Sequence, residues 1–123
     1  MQYALLIYAH EAALGPDDGS TALSELVARH MAFSRELGPT RIGGVGLKST
    51  ASATTVRTQG GAKTVHDGPF AETKEQLLGF FIVECASLEQ AIATAKDLGA
   101  ASSTNGSYEI RPLRLLRPEA PRP

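Results

Sequence analysis

The run from Asp67 to Val83, DGPFAETKEQLLGFFIV, limits what this chain can fold into more than any other stretch. Asp67-Gly68-Pro69 can continue neither a helix nor a central strand, because Gly68 tolerates positive φ while Pro69 fixes its own φ and lacks an N–H. Past a short charged linker, Leu77–Cys85 is apolar on both faces except at Glu84. That is the pattern of a strand covered on each side. A tight turn therefore feeds the centre of a sheet. Phe70, an apolar ring at the reversal, is expected to plug a pocket rim or a core edge.

The rest of the chain supplies partners for that strand. Tyr3–Ala9 has the same two-sided apolar character and reads as a second central strand. A turn-rich loop covers His10–Gly19, and Ser20 or Thr21 then caps a helix. Leu23, Leu26, Val27, His30, Ser34 and Leu37 share one side of it at helical spacing, with Phe33 beside them. Gly38-Pro39 stops the helix. Thr40–Leu47 reads as a strand loosened by Gly43, Gly44 and Gly46, where either a bulge or the close approach of a backbone or ligand is expected. Thr54–Thr58 and Ala62–His66 flank Gln59-Gly60-Gly61 as a hairpin.

Ser87-Leu88-Glu89-Gln90 is a capping box in its S-x-x-Q form. Leu88, Ala91, Ile92, Ala95 and Leu98 follow as an apolar stripe that Gly99 is expected to close. Ser107–Leu115 is a last strand, and Pro112 consigns it to an edge or an early end. The order β-α-β-hairpin-β-α-β is that of an α+β, ferredoxin-like split βαβ domain with an inserted ribbon. One domain over 1–115 is expected, followed by a disordered Pro/Arg tail over 116–123.

Two helices cover one face of such a sheet, yet both central strands look apolar on two. A second copy of the chain, pairing through the uncovered face, is the expected cover. A formal net charge of −1 and a pI near 6.3 provide no basic field for nucleic acid and no polybasic patch for a membrane surface. Cys85 stands alone, so no internal disulfide forms; it reads as a small buried hydrophobe in a reducing compartment. The apolar start is short and lacks a positive leader region, and no run approaches a membrane span. A cytoplasmic location is expected.

Four blocks, in order, resemble the DGPF group of the YCII-related family. Leu5-Leu6-Ile7-Tyr8 is similar to its opening strand, and Ala53-Thr54-Thr55-Val56-Arg57 to its hairpin entry. Asp67-Gly68-Pro69-Phe70-Ala71-Glu72-Thr73-Lys74-Glu75 resembles its signature, and Glu109-Ile110-Arg111-Pro112 its closing block. The resemblance implies a ferredoxin-like domain that pairs as a dimeric α+β barrel, within a superfamily too varied in chemistry to name a reaction. Relatives occur beside or fused to extracytoplasmic-function sigma factors, which implies a sigma factor as one further partner. Many relatives carry an acidic residue after the second-strand glycines; here Val45 and Gly46 follow Gly43-Gly44. Ala28-Arg29-His30-Met31 is similar, with compressed spacing, to a helix-borne Arg-x-x-His block. The His–Asp pair proposed for the family would here be His30 with Asp67.

Each candidate residue has a plain alternative. His30 is either a core or interface histidine with one hydrogen bond or a general acid/base oriented by a carboxylate. Asp67 either forms an Asx-turn or is that carboxylate. Arg57 and Arg111 either pair with nearby carboxylates or fork onto a substrate carboxylate. Tyr8 either packs or donates its hydroxyl into a substrate cleft between the sheet face and the first helix, to which Phe70 is also a candidate contributor. His10, His30 and His66 lie on unrelated elements without ligand spacing, so no metal is expected. The sequence has neither a phosphate loop nor a dinucleotide fingerprint, and no cofactor is expected. The expectations that remain are a cofactor-independent isomerase or lyase moving a proton on a small polar or aromatic acid, a non-catalytic ligand-binding or regulatory module, and a purely structural dimer.

Overall fold

The structure, a computed structural model, describes residues 1–14, 21–101 and 105–116. Six strands and two helices follow in the order β1 (Gln2–Ala9), α1 (Thr21–Leu37), β2 (Arg41–Gly46), β3 (Thr54–Gln59), β4 (Ala62–Asp67), β5 (Gln76–Glu84), α2 (Leu88–Ala101) and β6 (Gly106–Pro112). Short 3-10 turns occupy Glu11–Ala13, Gly38–Thr40 and Thr50–Ser52. An antiparallel sheet runs β2-β5-β1-β6, which is the ferredoxin-like order once the β3–β4 ribbon is set aside. The expected α+β architecture is therefore the one observed. Ser20 and the tail from Arg117 onward lie outside the described residues.

Both helices lie on one face of this sheet. Tyr3, Leu5 and Ile7 of β1 stand beside Phe81 and Val83 of β5 and pack with Phe33 of α1 and Ala91, Ala95 and Leu98 of α2. Leu5, Val83 and Leu98 are fully buried, each worth roughly 1.5–3 kcal/mol relative to exposure. The Phe33 and Phe81 rings meet at 6.1 Å, tilted by 55°, within the range favoured by aromatic pairs. Cys85 is buried in the same cluster, as its composition-based reading required.

The opposite face carries Ala4, Leu6, Tyr8, Phe80 and Ile82, fixed by the pairings Leu6↔Phe80 and Ala4↔Ile82. Ala4 is buried, but Leu6, Phe80 and Ile82 keep part of their surface in water, and Val45 beside Phe80 is exposed.

The local signals in α2 are only partly realised. The Ser87 Oγ accepts from the Gln90 N–H at 3.2 Å, while Gln90 Oε1 accepts from the Ala86 N–H and not from that of Ser87. Ala91, Ala95 and Leu98 form the buried face, whereas Leu88 and Ile92 are exposed. Gly99 does not close the helix, which continues to Ala101. It sits instead where a Cβ would come within 3.3 Å of the Tyr108 ring of β6, so the missing side chain makes room for helix–strand packing.

The ribbon stands apart from the main sheet. Gly60 and Gly61, at φ +56° and +83°, close β3 on β4 with the two left-handed residues of a type I′ turn. Both strands are exposed almost throughout, including the paired Val56 and Val65. The return strand therefore does not bring Asp67 to the main sheet, as a pair with His30 would require. Asp67 pairs with Thr54, and β3 and β4 pair with no other strand. The DGPF turn serves the ribbon: the Gly68 N–H donates to the Ala53 carbonyl (2.7 Å), and the Thr55 hydroxyl to the Gly68 carbonyl (2.7 Å).

Candidate functional site

A cavity of about 290 Å³ opens between α1 and the β2 side of the sheet. One wall is the α1 face formed by Leu23, Leu26, Val27, His30, Met31 and Ser34. The stripe divides along the helix: Leu26 and Phe33 are buried, while Val27 and Met31 remain exposed at the rim. The floor is Ile7, Leu78, Gly79 and Phe81, and the far wall is Arg41, Gly44, Val45, Gly46 and Leu47. Glycines keep this wall thin. A Cβ on Gly44 would strike the Phe81 ring at 2.9 Å, and one on Gly46 would meet nothing within 4 Å.

The third wall comes from the loop after β1 and the connector after β2. Glu11 receives the Thr50 N–H on both carboxylate oxygens (3.0 and 3.2 Å) and the Thr50 hydroxyl on Oε2 (2.7 Å). The Glu11 N–H in turn donates to Gln76 Oε1 at 2.9 Å. Glu11 thus caps the Thr50–Ser52 turn and pins two loops that no regular element holds, giving the connector a role the sequence did not disclose.

His30 is the polar centre of this apolar cavity. Its Nε2 is buried and has no hydrogen-bond partner. Burial holds the imidazole below its ordinary pKa, because the low-dielectric surroundings penalise the charged form. It is therefore neutral at physiological pH, with one ring nitrogen a donor and the other an acceptor.

The other residues singled out from the sequence lie elsewhere within the single chain. Asp67 is exposed on the ribbon and absent from the cavity lining. Arg57 Nη2 donates to the Phe70 carbonyl at 2.6 Å, which ties the ribbon to its own turn. Phe70 is 72% exposed and plugs neither a core edge nor this pocket. Tyr8 and Arg111 are on the sheet face away from the helices, where the Tyr8 hydroxyl donates to Glu109 at 3.4 Å. Partial burial, and then the Glu109 charge and hydrogen bond, raise the Tyr8 pKa. One chain thus separates the expected residues into three regions, and His30 alone of them reaches the cavity.

Arg41, Glu11 and Gly46 complete the site and had not been singled out as site residues. The glycine-rich second strand was the signal that could have led to two of them. Among the described residues no group of three His, Cys, Asp or Glu side chains could hold a metal, and no helix is long and apolar enough to cross a membrane.

Fold and cavity together define a ferredoxin-like α+β domain with a pocket between its first helix and an edge strand. A family model for the YCII-related domain matches residues 1–117, and the chain belongs to that family. It is similar, at 42% identity over 96% of both chains, to an uncharacterized protein of Rhizobium meliloti (strain 1021).

Proposed function

We propose that the chain is a binding module for a small, mainly apolar molecule, held between α1 and β2 with His30 as its polar anchor. The supporting observation is the unpartnered, buried Nε2 of His30 in the wall of an apolar cavity. A buried polar atom left unsatisfied costs about 1–3 kcal/mol. A ligand that draws the His30 ring toward the cavity and bonds this nitrogen recovers that cost at the moment of binding. The volume suits a small occupant, since a dry cavity of about 150 Å³ accommodates a benzene.

Proton transfer by a His30–Asp67 pair is the weaker reading, because Asp67 does not line the cavity and both Glu11 oxygens are engaged by Thr50. One observation keeps a base in play: burial maintains His30 neutral, and a neutral imidazole can accept a proton near pH 7. We also propose that the working form is a homodimer paired through the sheet face bearing Leu6, Phe80 and Ile82.

A thermal-shift screen of a metabolite library tests the binding reading, because a ligand selective for the native state raises the melting temperature by mass action. Hits should be lost in His30→Phe, which keeps an aromatic ring in the wall and removes the polar atom. Hits that bind His30→Phe undiminished, or a library that yields none, would overturn it.

A further inference from the structure

We infer that the occupant of this cavity is a singly charged carboxylate on a compact apolar body, with Arg41 taking the carboxylate at the rim. This rests on the proposed binding function of the same cavity and adds the ligand's charge and class. The observation behind it is a register irregularity in β2. Gly43, Gly44, Val45 and Gly46 pair in step with Ile82, Phe81, Phe80 and Gly79, but Arg41 pairs with Val83. Ile42 is the extra residue of a β-bulge, a device that re-aims a side chain. Extending the regular ladder would set Arg41 opposite Glu84, on the face away from the helices. The bulge instead turns it onto the face of Val83 and Phe81, where it lines the cavity.

The shift forgoes a cross-strand ion pair. Glu84 is paired with the N-terminal ammonium at 2.7 Å, and Arg41 has no carboxylate within ion-pair distance among the described residues. An arginine aimed at an apolar cavity without an anion of its own is a ready fork for one. The charge count of the lining fixes the valence. Arg41 supplies one positive charge, His30 is neutral, and Glu11 supplies one negative charge. A second negative charge on the ligand would meet the Glu11 carboxylate with no cation left to offset it. The apolar body is required by Leu26, Val27 and Phe81, and its reach by Gly46, whose missing side chain leaves open space.

Calorimetric titration of the full chain with phenylacetate, 2-phenylethanol and phenyl phosphate tests the assignment. Phenylacetate should bind about tenfold or more tightly than the alcohol, which corresponds to about 1.4 kcal/mol, and high salt should reduce that ratio. Arg41→Met, which keeps the apolar stem, should bring the ratio to about one. Gly46→Val should weaken acid and alcohol alike. Equal binding of acid and alcohol by the wild-type chain, or an undiminished preference in Arg41→Met, would overturn the carboxylate assignment while leaving the binding function standing. Tighter binding of phenyl phosphate would do the same. No binding of any probe, together with an empty library screen, would remove both.

Discussion

Gly79 of β5 and Val45 of β2 approach so closely that a Cβ on Gly79 would sit 2.2 Å from the Val45 carbonyl oxygen. The contact joins the strand that carries the cavity floor to the strand that carries its far wall. It sets how near β2 comes to β5 at the level of Gly46.

Replacing Gly79 with Ala is therefore expected to destabilise the protein, although Ala is ordinarily the better strand residue. The clash is with backbone, so β2 itself must move, and overpacking of this kind costs about 1–3 kcal/mol. Urea denaturation should show a lower midpoint with an unchanged slope. Gly46→Ala is the matched control: its Cβ meets nothing within 4 Å, and its stability should stay near that of the wild type.

Glu11 makes a second, separable prediction. Its carboxylate takes both the N–H and the hydroxyl of Thr50, and hydrogen bonds to a charged group contribute about 1.5–3 kcal/mol. Glu11→Ala should lower stability by an amount in that range, discounted for partial exposure. Amide hydrogen exchange should quicken around Thr50–Ser52 and leave the β1–β5 ladder protected.

The fold was legible because its punctuation is local. Gly60-Gly61, Gly38-Pro39 and Ser87–Gln90 each end or begin an element through the chemistry of a few neighbouring residues. Gly99 misled because a helical glycine reads as a stop, whereas its role is set by Tyr108 on another strand. The site was harder for the same reason. His30 was legible, being an imidazole within an apolar stripe. Arg41 was not, since its direction depends on a bulge that exists only when β2 meets β5. Asp67 was drawn toward His30 by resemblance, but no periodicity encodes where a two-stranded ribbon stands relative to the main sheet.

The imidazole of His30 also predicts a pH dependence. Its folded pKa lies below the unfolded value of about 6.5 because burial penalises the charged form. Between those two values the unfolded chain binds the additional proton, so stability rises with pH there. The contribution is fully present above about pH 6.5 and is lost as the pH falls through the folded value. Thermal midpoints measured across this range should fall on acidification in the wild type and fall less in His30→Phe. Identical profiles would mean that His30 is solvated and not buried.

The last prediction concerns the sheet face that the helices leave alone. Leu6, Phe80 and Ile82 lie side by side there through the pairings of β1 with β5, with Val45 next to Phe80 on β2. Each is only partly shielded from water in the single chain. A contiguous apolar patch on a sheet face marks an interaction surface more often than a solvated one. The expected interface is isologous, because the same patch on a second copy is its own complement. It should bury on the order of 2,000 Å² in total, as obligate pairs do. Light scattering should therefore give twice the 13.0 kDa of the chain at micromolar concentration. Phe80→Glu would set one carboxylate against its symmetry mate in a dry interface and should shift the mass to that of a monomer. Phe80 does not line the cavity, which shares only Val45 with this patch, so a monomeric Phe80→Glu that stays folded should still bind the ligand. A wild-type chain that scatters as a monomer would leave this face without its partner.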